Sequence, residues 1–525
     1  MPHIAVGNSP PAVSSVFAID PDKDESTSNS DAHIMTSMPK MSLWQRMLYW
    51  HRNIWPGTKI PATVAIILLG LILWWLVPPG LSSTAWHIFV IFLCTIVGAI
   101  LEPLPLSGVS LVSIAVAALT GALSERQILL GFADSAVWLV IFAFFISSAF
   151  LATGLGRRIC FIVFKYLGSS TIGLAYGICL CSVILGLGIP SATAKSVGIL
   201  LPIIEPLLKE AFQSDPAMRT EKRIGVYVVM VQNASGSITG VSWLTAGAWN
   251  ALMVQFMSDV GVDLTWLGWA YSITPIIIVA VAIMPLFIFV LCRPEIVRTP
   301  EAPVVASDKL RQLGRMSLSE KALLVVFILV ILLWILSSSL NNIFPFTTTE
   351  VAMFGVATLL ILGVIDVKRD IITDKSAFDL LLWFSILIMY ADQLKEAGFW
   401  KWLSQRIDLH SLSPYPCLVI ICLLFTLSQY ACASITARVA ALFPACLQIS
   451  SAAGVPVEVA ARALAVCTWA GHITPYSCTS NPSYYGLGYV SSKRWWLVGV
   501  AVMAVNFILL ISVGFGYWWL LGYWR

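Results

Sequence analysis

Long apolar runs separated by short polar breaks fill the chain from about residue 60 to its end. The runs predict membrane helices over 60–78, 84–101, 107–123, 133–153, 169–188, 224–256, 266–291, 319–341, 349–366, 376–392, 415–429, 457–480 and 494–522. A helix needs about 20 apolar residues to cross a bilayer, so the shorter runs read as half-spans or as parts of bent helices. The run 224–256 is too long for one straight crossing and is rich in Gly, Ser and Thr.

Three stretches depart from this pattern. Residues 1–40 are dominated by Pro, Ser and Asp, which predicts a disordered tail. That tail lacks the apolar core of a signal peptide, and its acidity argues against an organellar transit peptide. Residues 41–59 mix Trp44, Trp50 and Trp55 with Arg46, Arg52 and Lys59, as in an amphipathic segment lying at the interface. Those cations precede the first span, which places the N-terminus on the cytoplasmic side. The interval 293–318, with Arg293, Arg298, Lys309, Arg311 and Arg315, predicts a cytoplasmic linker between a first half, 60–292, and a second half, 319–525. It ends in Ser317-Leu318-Ser319-Glu320, a capping box that would start the next helix.

Composition agrees with this pattern. Of the 525 residues 58% are hydrophobic and only 11% charged, against about 25% charged in soluble globular proteins. The expected fold class is an all-α polytopic membrane protein, in a plasma membrane such as the bacterial inner membrane. The net charge of +4 adds little, because in such proteins the distribution of Lys and Arg carries the information. Six histidines and eleven cysteines show no metal-ligand spacing, and thiols inside apolar runs behave as small hydrophobes. No metal or cofactor is expected. The chain has no Gly-x4-Gly-Lys-Ser/Thr loop, so nucleotide-driven pumping is not expected, nor is a nucleic-acid partner.

Two polar clusters echo each other inside the apolar background. Ser191-Ala192-Thr193-Ala194-Lys195 and Ser434-Ile435-Thr436-Ala437-Arg438 each carry two hydroxyls and a cation two residues after the threonine. Each runs on to a proline, Pro202 or Pro444. Ser434 follows Ser191 by 243 residues, and Trp383 follows Trp138 by 245. Gly154-Leu155-Gly156-Arg157-Arg158, interfacial in character, likewise matches Ala397-Gly398-Phe399-Trp400-Lys401, and together these pairs indicate an internal repeat. Polar groups at membrane depth are costly and mark functional sites. Two in corresponding positions suggest a repeat-built transporter with its substrate between them.

Gly186, Gly188 and Pro190 weaken helix before Ser191. The expectation is a re-entrant hairpin over about 189–207, and a second over about 430–450. A lone Ser-x-Thr more often serves helix packing, and two copies with matching cations favour the site. Each hairpin is followed by a second polar break, Asn233 to Thr239 with Thr245 to Asn250, and Thr474 to Pro482. Such breaks expose the carbonyls and hydroxyls that hold carboxylates or small cations, although a loop at a membrane edge has the same composition. The candidate substrate-binding residues are Ser191, Thr193, Lys195, Asn250, Ser434, Thr436, Arg438, Thr479, Ser480 and Asn481. Ala192, Thr245, Ile435, Thr474 and Pro475 are secondary candidates.

The paired Ser-x-Thr motifs, their proline-ended hairpins and Tyr484-Tyr485-Gly486-Leu487-Gly488-Tyr489-Val490 with Trp495-Trp496 resemble the divalent anion:sodium symporter family. The resemblance covers roughly residues 60–525. It is closest to the branch of bacterial citrate, tartrate and succinate exchangers and plastid 2-oxoglutarate/malate translocators. It implies scaffold and transport domains, inverted repeats, a homodimer, an elevator movement and a di- or tricarboxylate substrate exchanged for a counter-anion across the bilayer. The family motif is Ser-Asn-Thr, whereas the middle residues here are Ala192 and Ile435. The resemblance gives those asparagines a part in sodium and carboxylate sites, so their loss puts sodium coupling in doubt. Lys195 and Arg438 would supply fixed charge instead, unless both snorkel to the interface. A sodium-coupled symporter is the alternative within the family. An anion channel or a membrane enzyme using Asp134, Asp379 or Asp392 are alternatives of other classes.

Overall fold

The computed structural model of the chain describes residues 59–340, 346–406, 413–430, 432 and 434–524. The expected tail, 1–40, and nearly all of the interfacial segment 41–59 lie outside the described residues. The rest is helical, with seven helices among the described residues long and apolar enough to cross a membrane. The protein is a multi-pass integral membrane protein.

In the first half the main helices are α1 (Ile60–Trp74), α2 (Ser83–Leu101), α3 (Leu106–Leu119), α4 (Ser135–Thr153), α5 (Leu155–Leu167) and α6 (Thr171–Gly186). After them come α7 (194–211), α8 (Gly225–Ile238), α9 (Ala248–Ser258), α10 (Trp266–Ser272) and α11 (Thr274–Cys292). The interval between the halves holds α12 (Glu301–Leu313). The second half comprises α13 (Leu318–Leu340), α14 (Thr348–Ile361), α15 (Lys375–Glu396), α16 (Phe399–Arg406), α17 (Pro414–Leu427), α18 (Ile435–Ala452), α19 (Val457–Val466), α20 (Asn481–Gly486) and α21 (Ser492–Leu509).

Polar residues start these helices by satisfying their first free amides. Ser82 Oγ accepts from Ala85 N at 3.2 Å at the head of α2. Asp134 Oδ1 accepts from Ala136 N at 2.8 Å at the head of α4, so this carboxylate is a helix cap. Ser317 and Glu320 form the expected reciprocal box, with Ser317 N donating to Glu320 Oε2 at 2.8 Å and Glu320 N to Ser317 Oγ at 3.1 Å.

Two groups of helices emerge from the packing. α2, α3 and α4 pack with α13, α14 and α15, whereas α6, α8 and α11 pack with one another and with the second half's late helices. Between the groups, α5 lies against α12. Arg158 of α5 is not an interfacial cation: its Nε and Nη2 donate to Glu320 Oε1 and Oε2 at 2.8 and 3.1 Å, and its Nη1 donates to Gly314 O at 2.9 Å. The linker thus contains a packed helix and is pinned by a buried ion pair.

The helix boundaries place each Ser-x-Thr motif at the junction of two helical arms. The first turn occupies 187–193, between α6 as incoming arm and α7 as outgoing arm. Residues 189–207 therefore hold the turn and most of one arm. The second turn lies between α17 and α18, and 430–450 likewise takes in the end of that turn and most of the outgoing arm. Gly188 is required where it stands, since a Cβ there would lie 2.5 Å from a ring carbon of Phe327 in α13. In α7, Pro202 and Pro206 lack amide donors, and the flanking turns widen to π-helix at Ala194–Leu200 and Leu207–Ala211.

Candidate functional site

Four irregular segments carry the polar groups: the two hairpin turns and the breaks that follow α8 and α19. In each turn the serine of the motif caps the outgoing arm. Ser191 Oγ accepts from Ala194 N at 3.2 Å, and Ser434 Oγ accepts from Ala437 N at 3.3 Å. The first break spans the 3₁₀ stretches Thr239–Val241 and Leu244–Ala246 before α9. The second begins with the 3₁₀ stretch Cys467–His472 and reaches α20.

The breaks are built alike. Asn250 Nδ2 donates to Gly240 O at 2.8 Å and Trp243 O at 2.9 Å. Asn481 Nδ2 donates to Gly471 O at 2.8 Å and Thr474 O at 2.7 Å. In both breaks the acceptors lie ten and seven residues before the asparagine, so the offset between them is 231 residues. Each break is also fastened to its own turn. Thr245 Oγ1 donates to Leu187 O at 2.8 Å, and Tyr476 Oη donates to Tyr430 O at 3.4 Å. Tyr476 follows Thr245 by the break offset of 231 residues, and Tyr430 follows Leu187 by the hairpin offset of 243. The repeat thus reappears as matched hydrogen bonds between chemically different side chains.

The two halves meet at the threonines. Thr193 Oγ1 of the first turn lies 2.8 Å from Thr479 Oγ1 of the second break. The structure sorts the sequence candidates into two sets. Ser191, Thr193, Ser434, Thr436 and Pro475 are half-buried and Thr479 is exposed, so their polar or backbone groups are within reach of a solute. Ala192, Lys195, Thr245, Asn250, Ile435, Arg438, Thr474, Ser480 and Asn481 are buried. Ser480 Oγ sits 3.4 Å from Cys478 Sγ, and Thr474 Oγ1 accepts from Tyr476 N at 3.3 Å.

The two cations are fully buried, so neither reaches an interface. Lys195 Nζ donates to Ala246 O in the first break at 3.2 Å. Arg438 Nη1 donates to Phe425 O at 2.9 Å. The middle residues of the motifs point into apolar packing. Ile435 lies against Gly471, where an added Cβ would come within 2.6 Å of Ile435 Cδ1. Sequence reasoning missed Gln429, and it took Gly186 only as a helix breaker and Tyr476 only as part of the second break; their pairings emerge when the two halves are matched by offset. Among the described residues no cluster of His, Cys, Asp and Glu is arranged to hold a metal.

Residues 58–524 match the family model described as the sodium:sulfate symporter transmembrane region. The chain belongs to this family of divalent anion:sodium symporters. Chloroplastic dicarboxylate transporter 1 of Spinacia oleracea is 34% identical over 472 residues, which cover 89% of this chain and 82% of that one. The citrate/succinate antiporter of Escherichia coli (strain K12) is 30% identical over 498 residues, covering 90% of this chain and 99% of that one. Among solved structures, the YdaH transporter of Alcanivorax borkumensis has a similar fold, with a TM-score of 0.51 at 14% identity over 74% of this chain and 88% of that one. This family member is a membrane transporter and not an enzyme.

Proposed function

We propose that the protein exchanges di- or tricarboxylates across the plasma membrane by an elevator movement, as a homodimer and without obligatory sodium. The observation that carries this reading is the pair of fully buried cations, Lys195 and Arg438, set one turn behind the half-exposed hydroxyls of the two hairpin turns. A dianion at membrane depth requires positive compensation, and here that charge is covalently attached to the protein. The names of the spinach and Escherichia coli relatives, a dicarboxylate transporter and a citrate/succinate antiporter, support carboxylates as the substrate class and exchange as the mode.

Ser191, Thr193, Ser434, Thr436 and Thr479 would present hydroxyl donors to the carboxylates. The buried apolar Ala192 and Ile435 stand where the family motif has asparagine, which argues against sodium sites of the usual composition. Fixed charge also favours exchange. An empty carrier would have to move two uncompensated cations through the barrier, and reloading with a counter-anion removes that cost.

The test is uptake of labelled succinate into proteoliposomes. Uptake that requires internal dicarboxylate and is indifferent to sodium is the expected result. Robust sodium-driven uptake into empty vesicles would overturn the exchange reading.

A further inference from the structure

The two halves place equivalent cations in unequal surroundings, and one pair of positions accounts for the difference. A shift of 243 residues sets Lys195 on Arg438 and Gly186 on Gln429, and the break offset of 231 sets Ala246 on Ser477. In the first half Gly186 leaves a gap. A Cβ on it would lie 3.3 Å from Lys195 Nζ and 3.2 Å from Ala246 Cβ. The ammonium occupies that gap and binds the Ala246 carbonyl.

In the second half Gln429 puts a side chain at this position. Its Nε2 donates to the carbonyl of Ser477, the counterpart of Ala246, and to Cys432 O at 3.4 Å. A neutral amide therefore holds the carbonyl that a cation holds in the first half. Arg438 turns back instead, with Nη1 on Phe425 O and Cζ 4.7 Å from the centroid of the Phe425 ring. Its Nε and Nη2 are buried and, among the described residues, have no hydrogen-bond partner.

Arg158 shows what this geometry accepts. There Nη1 also donates to a backbone carbonyl, while Nε and Nη2 grip both oxygens of Glu320. Arg438 presents the same two nitrogens, with the same third nitrogen occupied, and among the described residues no hydrogen bond fills them. Two unsatisfied donors on a buried guanidinium are costly, and this edge of the fork matches a carboxylate bidentately.

We propose that Arg438 is a carboxylate subsite of the second hairpin, kept available by Gln429, and that Lys195 is a fixed brace of the first break. This rests on the carboxylate reading above and adds that the two cations have different roles. Gln429 keeps Arg438 from spending its donors on the Ser477 carbonyl, so that the fork stays open to a substrate carboxylate.

The experiment is binding of labelled malate to the full-length purified protein, with elution profile and thermal midpoint measured alongside. Arg438→Gln is expected to weaken binding by about tenfold or more, the worth of a charge-assisted hydrogen bond. Arg438→Lys keeps the charge without the fork and should fall between. Gln429→Gly recreates the first half's gap, gives Arg438 the Ser477 carbonyl, and should weaken binding although the guanidinium remains. The double variant Arg438→Gln/Gln429→Gly should bind no worse than the weaker single. Unchanged affinity in a well-folded Arg438→Gln overturns the proposal, as does a double variant whose loss is the product of the two. Should the Arg438 variants not fold, unchanged affinity in Gln429→Gly overturns it alone. Wild-type protein that binds no malate, succinate or citrate overturns the carboxylate reading itself, whereas wild-type binding with unresponsive variants overturns only the subsite.

Discussion

At the scale of single residues, the irregular backbone of each break hangs on one asparagine. Both hydrogens of Asn250 Nδ2 and of Asn481 Nδ2 are committed to backbone carbonyls of their own break. Asn250→Asp or Asn481→Asp keeps the shape and removes both donors. With about 0.5–1.5 kcal/mol for each bond lost, each variant should lower stability by about 1–3 kcal/mol. The thermal midpoint in detergent measures this, and succinate exchange should fall with it in either half. Equal midpoints for wild type and both variants would show that the breaks hold their shape without the amides. The asparagines were legible in the sequence as polar residues in apolar runs, but nothing local tells an inward clamp from an outward ligand. Gln429 was not legible at all, and Gly186 was legible only as a helix breaker. Their meaning needs two offsets, 243 for the hairpins and 231 for the breaks, because the segment from hairpin to break is longer in the first half.

At the scale of elements, apolar run length foretold most of the helices, though not α5, α7, α12, α16, α18 or α20, and the excessive length of 224–256 foretold its break. The expected hairpin over 189–207 rested on Gly188, Pro190 and the prolines of α7 all reading as helix breakers. Only the residues before Ser191 break the chain, while Pro202 and Pro206 are absorbed by π-helical turns. The capping box at Ser317 was visible locally, but the partner of Glu320 lies 162 residues earlier, at Arg158. That pair is buried on both sides, so removing one partner strands a charge at a cost of about 3–5 kcal/mol. Arg158→Met or Glu320→Gln should therefore lower the thermal midpoint sharply. Arg158→Met combined with Glu320→Met should recover much of the loss, since it strands neither charge. A double variant as unstable as the sum of the singles would mean that α5 and α13 are joined by something other than this pair.

At the scale of the whole molecule, an elevator requires contacts between its moving and static bodies that hold each end state yet break in every cycle. Asp259, at the end of α9, accepts from Lys395 of α15 at 2.8 Å. α9 packs on the hairpin arm α18, whereas α15 packs with α2 and α3. If the hairpins travel, this ion pair crosses the sliding surface. Its lysine is half exposed, and pairs of that kind contribute only about 0–1 kcal/mol. A stability measurement would scarcely register its loss, but a transport rate responds to the difference between ground and transition states. Lys395→Gln is therefore expected to leave the thermal midpoint nearly unchanged and to alter succinate exchange turnover by about fivefold at most, the kinetic equivalent of 1 kcal/mol. High salt should diminish the effect, because exposed charges are screened. Exchanging the charges, with Asp259→Lys and Lys395→Asp together, should return the rate towards that of the wild type. If Lys395→Gln exchanges at the wild-type rate at both low and high salt, the pair lies away from the sliding surface and α9 does not move against α15.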